Sequence, residues 1–399
     1  LFAQLAHGAS WLLLVWAGIS GSVEVVDVVS IAWIHTLALG WATVAATSVL
    51  LHVIPGFTDA QWRFETQARL SIGVLAFGVV LFVAALLTYP QFAIVGAALI
   101  VCGLLAYCAA ALATLWAAFR GERTERAIAR ALTITLLFML LTALLGLALA
   151  ALISGYHVPA WVSAVPATHA NLGMLGWLSL LVFGVSARTV KPITGNKSRF
   201  SAAHIAVGSL TLLGVTLLAI GLSGVSLLIW PGAICFAVAA TIYMLDLLDI
   251  LRRATVSHRV PQAFLLAGVA WLACGLVIGA GVLSGRPWQL AYGFIVLAGW
   301  IGQMINAHIY HIGVRLLLTV YRGDEDETRP QEVLDARLSW ASFWLFQLAI
   351  VSATVGLLVA NPILATFGGL VGCAGWLAMI TNLVCARTKA MRPRTISLL

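Results

Sequence analysis

Five of the nine histidines lie in long apolar stretches of the chain: His35, His52, His169, His308 and His311. The stretch at 34–56, "IHTLALGWATVAATSVLLHVIPG", holds two of them and carries no formal charge. An unpaired polar group in hydrocarbon costs several kcal/mol, so each imidazole needs a partner. That partner can be a hydrogen bond to a neighbouring helix. It can also be a metal, because neutral imidazole is a common ligand of haem iron and of copper.

The spacing of these histidines predicts two separate levels along the helices. His35 and His52 lie 17 residues apart, which is about 25 Å along a helix at 1.5 Å per residue. One metal centre cannot bind both. We therefore expect an outer site with His35 and His169, and an inner site with His52 and His311, or with His308. The last two are three residues apart and share one helix face.

Two arginines accompany the inner histidines. Arg188 and Arg315 lie at that level and could bind the propionates of a haem. The alternative is that both anchor helix ends at the membrane surface, as basic residues commonly do.

The composition requires a membrane. Of the 399 residues, 62% are hydrophobic and only 9% are charged, with a mean hydropathy of +1.04. Soluble domains carry about 25% charged residues, so lipid must cover this surface. Apolar runs of roughly 20 residues, each able to cross a bilayer as a helix, recur along residues 1–399. We predict an all-α, polytopic single domain of about twelve spans, centred near residues 11, 40, 78, 105, 140, 173, 212, 236, 272, 303, 347 and 373.

The basic residues predict the orientation. Every Lys and Arg except Arg286 falls in a connection after an even-numbered span. The positive-inside rule then places both termini in the cytoplasm, as for a bacterial-type inner membrane, and the +8 charge does not indicate nucleic acid. The longest loop, 321–337, is also cytoplasmic and is expected to be a solvated linker with a short helix at its end. The first run lacks a basic start, which favours a true span over a signal peptide.

An internal repeat organises the histidines. Spans two, six and ten each contain a Gly-Trp pair, at 40–41, 176–177 and 299–300. Alignment on that pair brings His52, Arg188 and His311 to one position. We predict three four-helix units, approximately 1–120, 128–250 and 260–388, around a pseudo-threefold axis with these spans inside. A fourth Gly-Trp pair at 375–376 shows that the pair alone is not diagnostic.

Three segments resemble a known family. "HTLALGW", "HANLGMLGWLSLLVFGVSAR" and "GQMINAHIYHIGVRLLL" resemble inner helices of the haem-copper oxidase superfamily's catalytic subunit and of NnrS-like membrane haem proteins. The resemblance implies twelve helices in three four-helix arcs, one or two b-type haems, and copper as a further metal. It also implies that His35 is a haem ligand and that His169 binds haem or copper.

The sequence departs from that family at several ligand positions. Asn171 replaces the second histidine of a His-x-His pair, and Tyr292 and Phe294 stand where helix ten of an oxidase carries its haem ligands. A three-histidine copper site and a complete proton-pumping oxidase are therefore not expected. No catalytic residue can be assigned.

Three functions remain open from the sequence. The first is a haem-binding redox protein, an oxidoreductase candidate that transfers electrons or acts on a small gas such as NO or O2, in contact with lipid and with a quinol or a partner redox subunit. The second is a cofactor-free transporter, since Gln303, Asn306, Asp246 and Asp249 are also polar groups in apolar helices. The third is a structural or haem-carrying subunit of a respiratory-type complex.

Overall fold

The computed structural model describes residues 1–22, 27–119, 123–323 and 325–391. Arg120, Arg392 and Arg394, which enter the charge pattern, lie outside these ranges. The described chain is helical and contains no β-strand.

Twelve helices in the described ranges are long and apolar enough to cross a membrane, and each predicted centre lies in one of them. The all-α polytopic fold is thereby confirmed. The helices are α1 Phe2–Ser20, α2 Val28–Thr58, α3 Glu65–Thr88, α4 Ala93–Ala118, α5 Arg123–Ile153, α6 Pro166–Thr194, α7 Ser201–Leu222, α8 Ile229–Arg252, α9 Arg259–Leu283, α10 Gln289–Arg322, α11 Ala336–Leu358 and α12 Pro362–Ala390.

Local sequence signals fix several helix starts. Asp27 accepts a hydrogen bond from the Val29 amide at 2.7 Å at the start of α2, and Asn361 accepts one from Leu364 at the start of α12. Pro166 and Pro362 occupy first helical positions, where a missing N–H costs nothing. The Asp27 and Asn361 side chains satisfy backbone donors that would otherwise be unpaired at the helix start, and the two prolines remove one such donor each.

The helices close into a ring. Hairpins α3–α4, α7–α8 and α11–α12 form the rim, and α4 packs on α5, α8 on α9 and α12 on α1. Helices α2, α6 and α10 meet inside, and α10 is the most enclosed span. The same neighbours recur every four helices, as three repeats would produce, while the repeat boundaries themselves stay a prediction.

Glycines allow the rim hairpins to pack closely. In each hairpin, a Cβ on one glycine would lie within 2.6 Å of the neighbouring helix backbone. Close packing of this kind holds helices together in lipid, where no hydrophobic force acts between them. The three equivalent contacts are Gly96 on Phe82, Gly232 on Leu218 and Gly368 on Ala353.

We call the end of the bundle that carries the arginine-rich loops the basic end, and the other the opposite end. Part of the long loop at the basic end packs against the bundle. Arg322 donates hydrogen bonds to the carbonyls of Ala390 and Lys389, and Val333 and Leu334 are buried. The predicted short helix is present as one turn, Pro330–Val333. The expected solvation holds for the acidic first half of the loop, where Gly323, Glu325 and Glu327 are exposed, but the second half is packed because its apolar residues are buried between the helix ends.

Candidate functional site

Each inner helix changes to π-helix at its Gly-Trp pair. The π segments are Thr36–Thr43 in α2, Leu172–Ser179 in α6 and Ile295–Ile301 in α10, with a further one at Ile309–Gly313. A π turn bonds residue i to i+5, and such turns occur frequently at functional sites. Two of the turns are stabilised by hydroxyls, since Thr43 donates to the Ala38 carbonyl and Ser179 to that of Met174, each at 2.8 Å.

The same hydroxyls link the inner helices to one another. The indole N–H of Trp177 donates to Thr43 at 3.1 Å, and that of Trp300 donates to Ser179 at 3.1 Å. In both cases a tryptophan reaches the residue two positions after the Gly-Trp pair of another inner helix. The first bond runs from α6 to α2 and the second from α10 to α6, so both follow the same direction around the three inner helices.

The third link of this series is missing. Its acceptor would be at position 302, which is Gly302, and a Cβ there would lie 3.1 Å from the Trp41 ring. The Trp41 indole N–H has no hydrogen-bond partner among the described residues. Its ring instead stacks on buried His7, with centroids 3.7 Å apart and planes 5° apart.

His35 and His169 form an outer histidine pair near the opposite end. They are the eighth and fourth residues of α2 and α6. Their ring centroids lie 6.0 Å apart, with an angle of 17° between the planes. The structure thus brings together the two residues predicted for the outer site.

Backbone carbonyls fix both rings of the outer pair. The Nδ1–H of His35 donates to Ile31 at 2.8 Å, and that of His169 donates to Thr142 at 2.9 Å. A carbonyl can only accept, so each Nε2 keeps its lone pair. Neither Nε2 has a hydrogen-bond partner among the described residues. Metal-binding histidines commonly show this arrangement, one nitrogen held by a carbonyl and the other free for the metal.

An apolar cavity of about 560 Å³ surrounds the outer pair. Helices α2 to α10 line it, and Trp177 and Trp300 are among the lining residues. Cavities of roughly 300–1,000 Å³ suit cofactor-sized ligands. The polar groups on its wall include His35, His169 and Tyr292.

The cavity reaches the surface at the opposite end. Gln289, Pro166 and Trp230 line it and are exposed, and Asn171 lines it close to His169. Arg286, the basic residue that broke the charge pattern, lies three residues before Gln289 and is exposed, with its guanidinium 5.9 Å from the Trp288 ring centroid. A cofactor with an apolar body and an acidic edge would find both environments here.

The predicted inner residues are not brought to one point. His52 is exposed, and no ring contact joins it to another histidine in the described chain. Arg188 lies 5.5 Å from the Phe57 ring centroid, and Arg315 donates to the carbonyls of Asp326 and Thr328. Neither arginine lines the cavity.

His308 uses both of its nitrogens in hydrogen bonds. Its Nδ1–H donates to the Met304 carbonyl at 2.6 Å, and its Nε2 accepts from the Thr189 hydroxyl at 2.8 Å. No lone pair is left for a metal in this arrangement.

His311 pairs with His258, a residue outside the set of predicted ligands. Their ring centroids lie 5.9 Å apart at 37°, and neither Nδ1 has a partner among the described residues. Burial, followed by the proximity of His311, lowers the pKa of His258 to about 4. His258 precedes α9 by one residue and lies 53 positions from His311, so no local pattern links them.

Three of the four polar residues that suggested a transporter form ion pairs or hydrogen bonds with neighbouring side chains. Asp249 forms an ion pair with Arg253 at 2.6 Å, and Asp246 accepts from the Ser198 hydroxyl at 2.6 Å. Gln303 accepts from Gln347 at 2.7 Å. Asn306, by contrast, has a buried Oδ1 with no partner within the described ranges.

A scan of the chain against models of known protein families and a search of curated proteins each find no match.

Proposed function

We propose that the chain is a haem-binding membrane protein in which His35 and His169 bind one b-type haem. The observation that carries the proposal is the pair itself: two imidazoles fixed through Nδ1, with both Nε2 lone pairs free, beside the apolar cavity. If these histidines served only to hydrogen-bond neighbouring helices, we would expect their Nε2 atoms to have partners too.

The spacing of the rings supports this assignment. Imidazole rings whose nitrogens would each lie about 2 Å from one metal ion have centres roughly 5–6 Å apart. The observed separation is 6.0 Å. Among the described residues, no group of three or more His, Cys, Asp and Glu converges on one point. A site with only two protein ligands suits haem, because the porphyrin would supply the other ligands of the metal.

The chain's own residues would position and insulate this centre. The Ile31 and Thr142 carbonyls set the ring orientations, and Gly146 leaves room for the His169 ring, because a Cβ there would lie 2.9 Å from its Cε1. The apolar wall excludes water and lowers the local dielectric. A haem held in this way supplies a one-electron redox couple.

Electron transfer is the activity that this ligand set supports best. With His35 and His169 both holding the group, a haem would supply one-electron redox chemistry rather than a binding place for NO or O2. The proposed role is therefore electron passage in the membrane, with a quinol or a partner redox subunit as the exchange partner.

Haem content and the visible spectrum of the purified protein test the proposal. We expect one haem per chain with the spectrum of a low-spin, six-coordinate b-type centre. His35→Ala and His169→Ala should each remove it. His52→Ala is the matched control, because that histidine is exposed, and it should keep the full haem content.

Two results would count against the proposal. A colourless wild-type preparation that takes up no added haem would return the choice to a cofactor-free transporter. Retention of haem in both His35→Ala and His169→Ala would place the ligands elsewhere.

A further inference from the structure

The second histidine pair lies at the basic end. His258 and His311 belong to different helices, since one immediately precedes α9 and the other lies in the π segment Ile309–Gly313 of α10. Their rings lie side by side, and neither Nδ1 atom has a hydrogen-bond partner among the residues that the structure describes. His258 is only 6% exposed, so the missing hydrogen bond carries a real cost.

We propose that His258 and His311 bind a transition-metal ion of the Zn²⁺ class at the basic end, separately from the haem. The centroid separation of 5.9 Å fits a metal held between two imidazole nitrogens, which places ring centres roughly 5–6 Å apart depending on the angle at the metal. Metal binding would satisfy the two Nδ1 atoms that the protein leaves unpaired.

The surroundings favour a bare ion over a second haem. The 560 Å³ cavity does not reach either residue, so a porphyrin has no space there. His311 is half-buried, which lets water complete the coordination shell. Late first-row ions accept imidazole nitrogen readily, and two such ligands with water give a moderate-affinity site.

Neighbouring groups hold the pair without competing for it. His308, three residues before His311, is engaged by Met304 and Thr189. Gln262, four residues after His258, donates to the carbonyls of Ile193 and Val256. On the solvent side, Gln331 of the packed loop donates to Ser257 at 3.5 Å. This contact brings the loop next to the residue that precedes His258.

Zn²⁺ titration of the full-length protein tests this site. We expect His258→Gln and His311→Gln each to remove one Zn²⁺ equivalent, or to weaken its Kd by at least tenfold. His52→Gln, an exposed histidine at the same end, is the matched control and should bind as wild type does. The double variant His258→Cys/His311→Cys should regain the equivalent, because thiolates also bind Zn²⁺.

The titration is repeated in a His35→Ala/His169→Ala background, so that Zn²⁺ in the outer pair cannot be mistaken for this site. A His258-dependent equivalent in that background supports the metal site even if the haem proposal fails. Equal Zn²⁺ binding by wild type, His258→Gln and His311→Gln overturns it. Loss with His311→Gln and His52→Gln, but not with His258→Gln, also overturns it, in favour of the pairing predicted from the sequence.

Discussion

The outer and inner histidine pairs have nearly the same ring separation, 6.0 Å and 5.9 Å, but different surroundings. In the outer pair, backbone carbonyls hold both Nδ1 atoms, and a large cavity faces the rings. In the inner pair, neither Nδ1 atom has a hydrogen-bond partner in the described part of the chain, and the cavity does not extend that far. Ring distance alone therefore does not distinguish the two pairs. The two proposals assign them different cofactors on the basis of the hydrogen bonds at Nδ1 and the available volume.

The comparison predicts that the two sites are lost independently. His169→Ala should remove all haem and leave the inner Zn²⁺ equivalent intact, whereas His311→Gln should do the reverse. The physical reason is that the pairs share no residue and lie at opposite ends of the inner helices. Haem content and Zn²⁺ stoichiometry measured on the same preparations check this. Loss of both ligands in either variant would contradict the independence of the two sites.

A smaller change should affect only the outer pair. Gly146→Ala places a methyl group 2.9 Å from Cε1 of His169, so the ring must shift against its Thr142 hydrogen bond. We expect about a tenfold weaker haem affinity, since a displaced ligand of a preorganised centre commonly costs this much. Haem titration of the apoprotein measures it. Gly208→Ala is the control, because a Cβ there meets no atom within 4 Å.

The tryptophan contacts between the two levels give a third prediction. Gly302→Ala brings a methyl group to 3.1 Å from the Trp41 ring, which cannot retreat because it is stacked on His7. Overpacking of this kind destabilises by about 1–3 kcal/mol. Thermal unfolding should show a lower midpoint for Gly302→Ala. An unchanged midpoint would show that the His7 stack yields, and that Trp41 is free to move.

The smallest expected effect concerns Asp335, at the end of the loop on the basic end. Asp335 caps α11, and the hydrogen bond from the Leu338 amide, assisted by that from Arg337, lowers the pKa of its carboxyl below the ordinary 3.8. Because the folded pKa is depressed, the stabilisation is present above pH 3.8 and is lost as the pH falls through the folded value.

Asp335→Ala should therefore unfold at a slightly lower temperature than wild type at neutral pH. The difference should stay constant down to about pH 5 and shrink only below the ordinary pKa of a carboxyl. Thermal scans of both proteins across that range measure it. A difference that already disappears at pH 6 would assign the effect to another group.

The sequence was sufficient to predict the fold and one of the two histidine pairs, the outer one. Apolar runs of membrane length located all twelve spans. Depth along the helices correctly placed His35 beside His169. Both inferences depend only on helix rise and composition, which are local properties.

The inner contacts depend on properties that are not local. A regular α-helix would place His52, 11 residues after Trp41, about three turns on and on the same face. His52 lies nine residues beyond the π segment Thr36–Thr43 and is exposed, whereas Leu50 and Ile54 on the same helix are buried. Tertiary packing, not spacing along the helix, decides which side of α2 is covered. The partner of His311 comes from the connection before α9, which only the tertiary packing brings near.

The uneven set of tryptophan bonds has a mechanical consequence. The Trp177–Thr43 bond ties α2 to α6, and these two helices carry both outer imidazoles. The corresponding bond between α2 and α10 is absent among the described residues. The Trp177–Thr43 bond therefore resists a change in the distance between the two imidazoles. If the proposed haem binds between them, a ligand spacing that stays fixed as the iron changes charge would keep the reorganisation energy small and electron exchange fast.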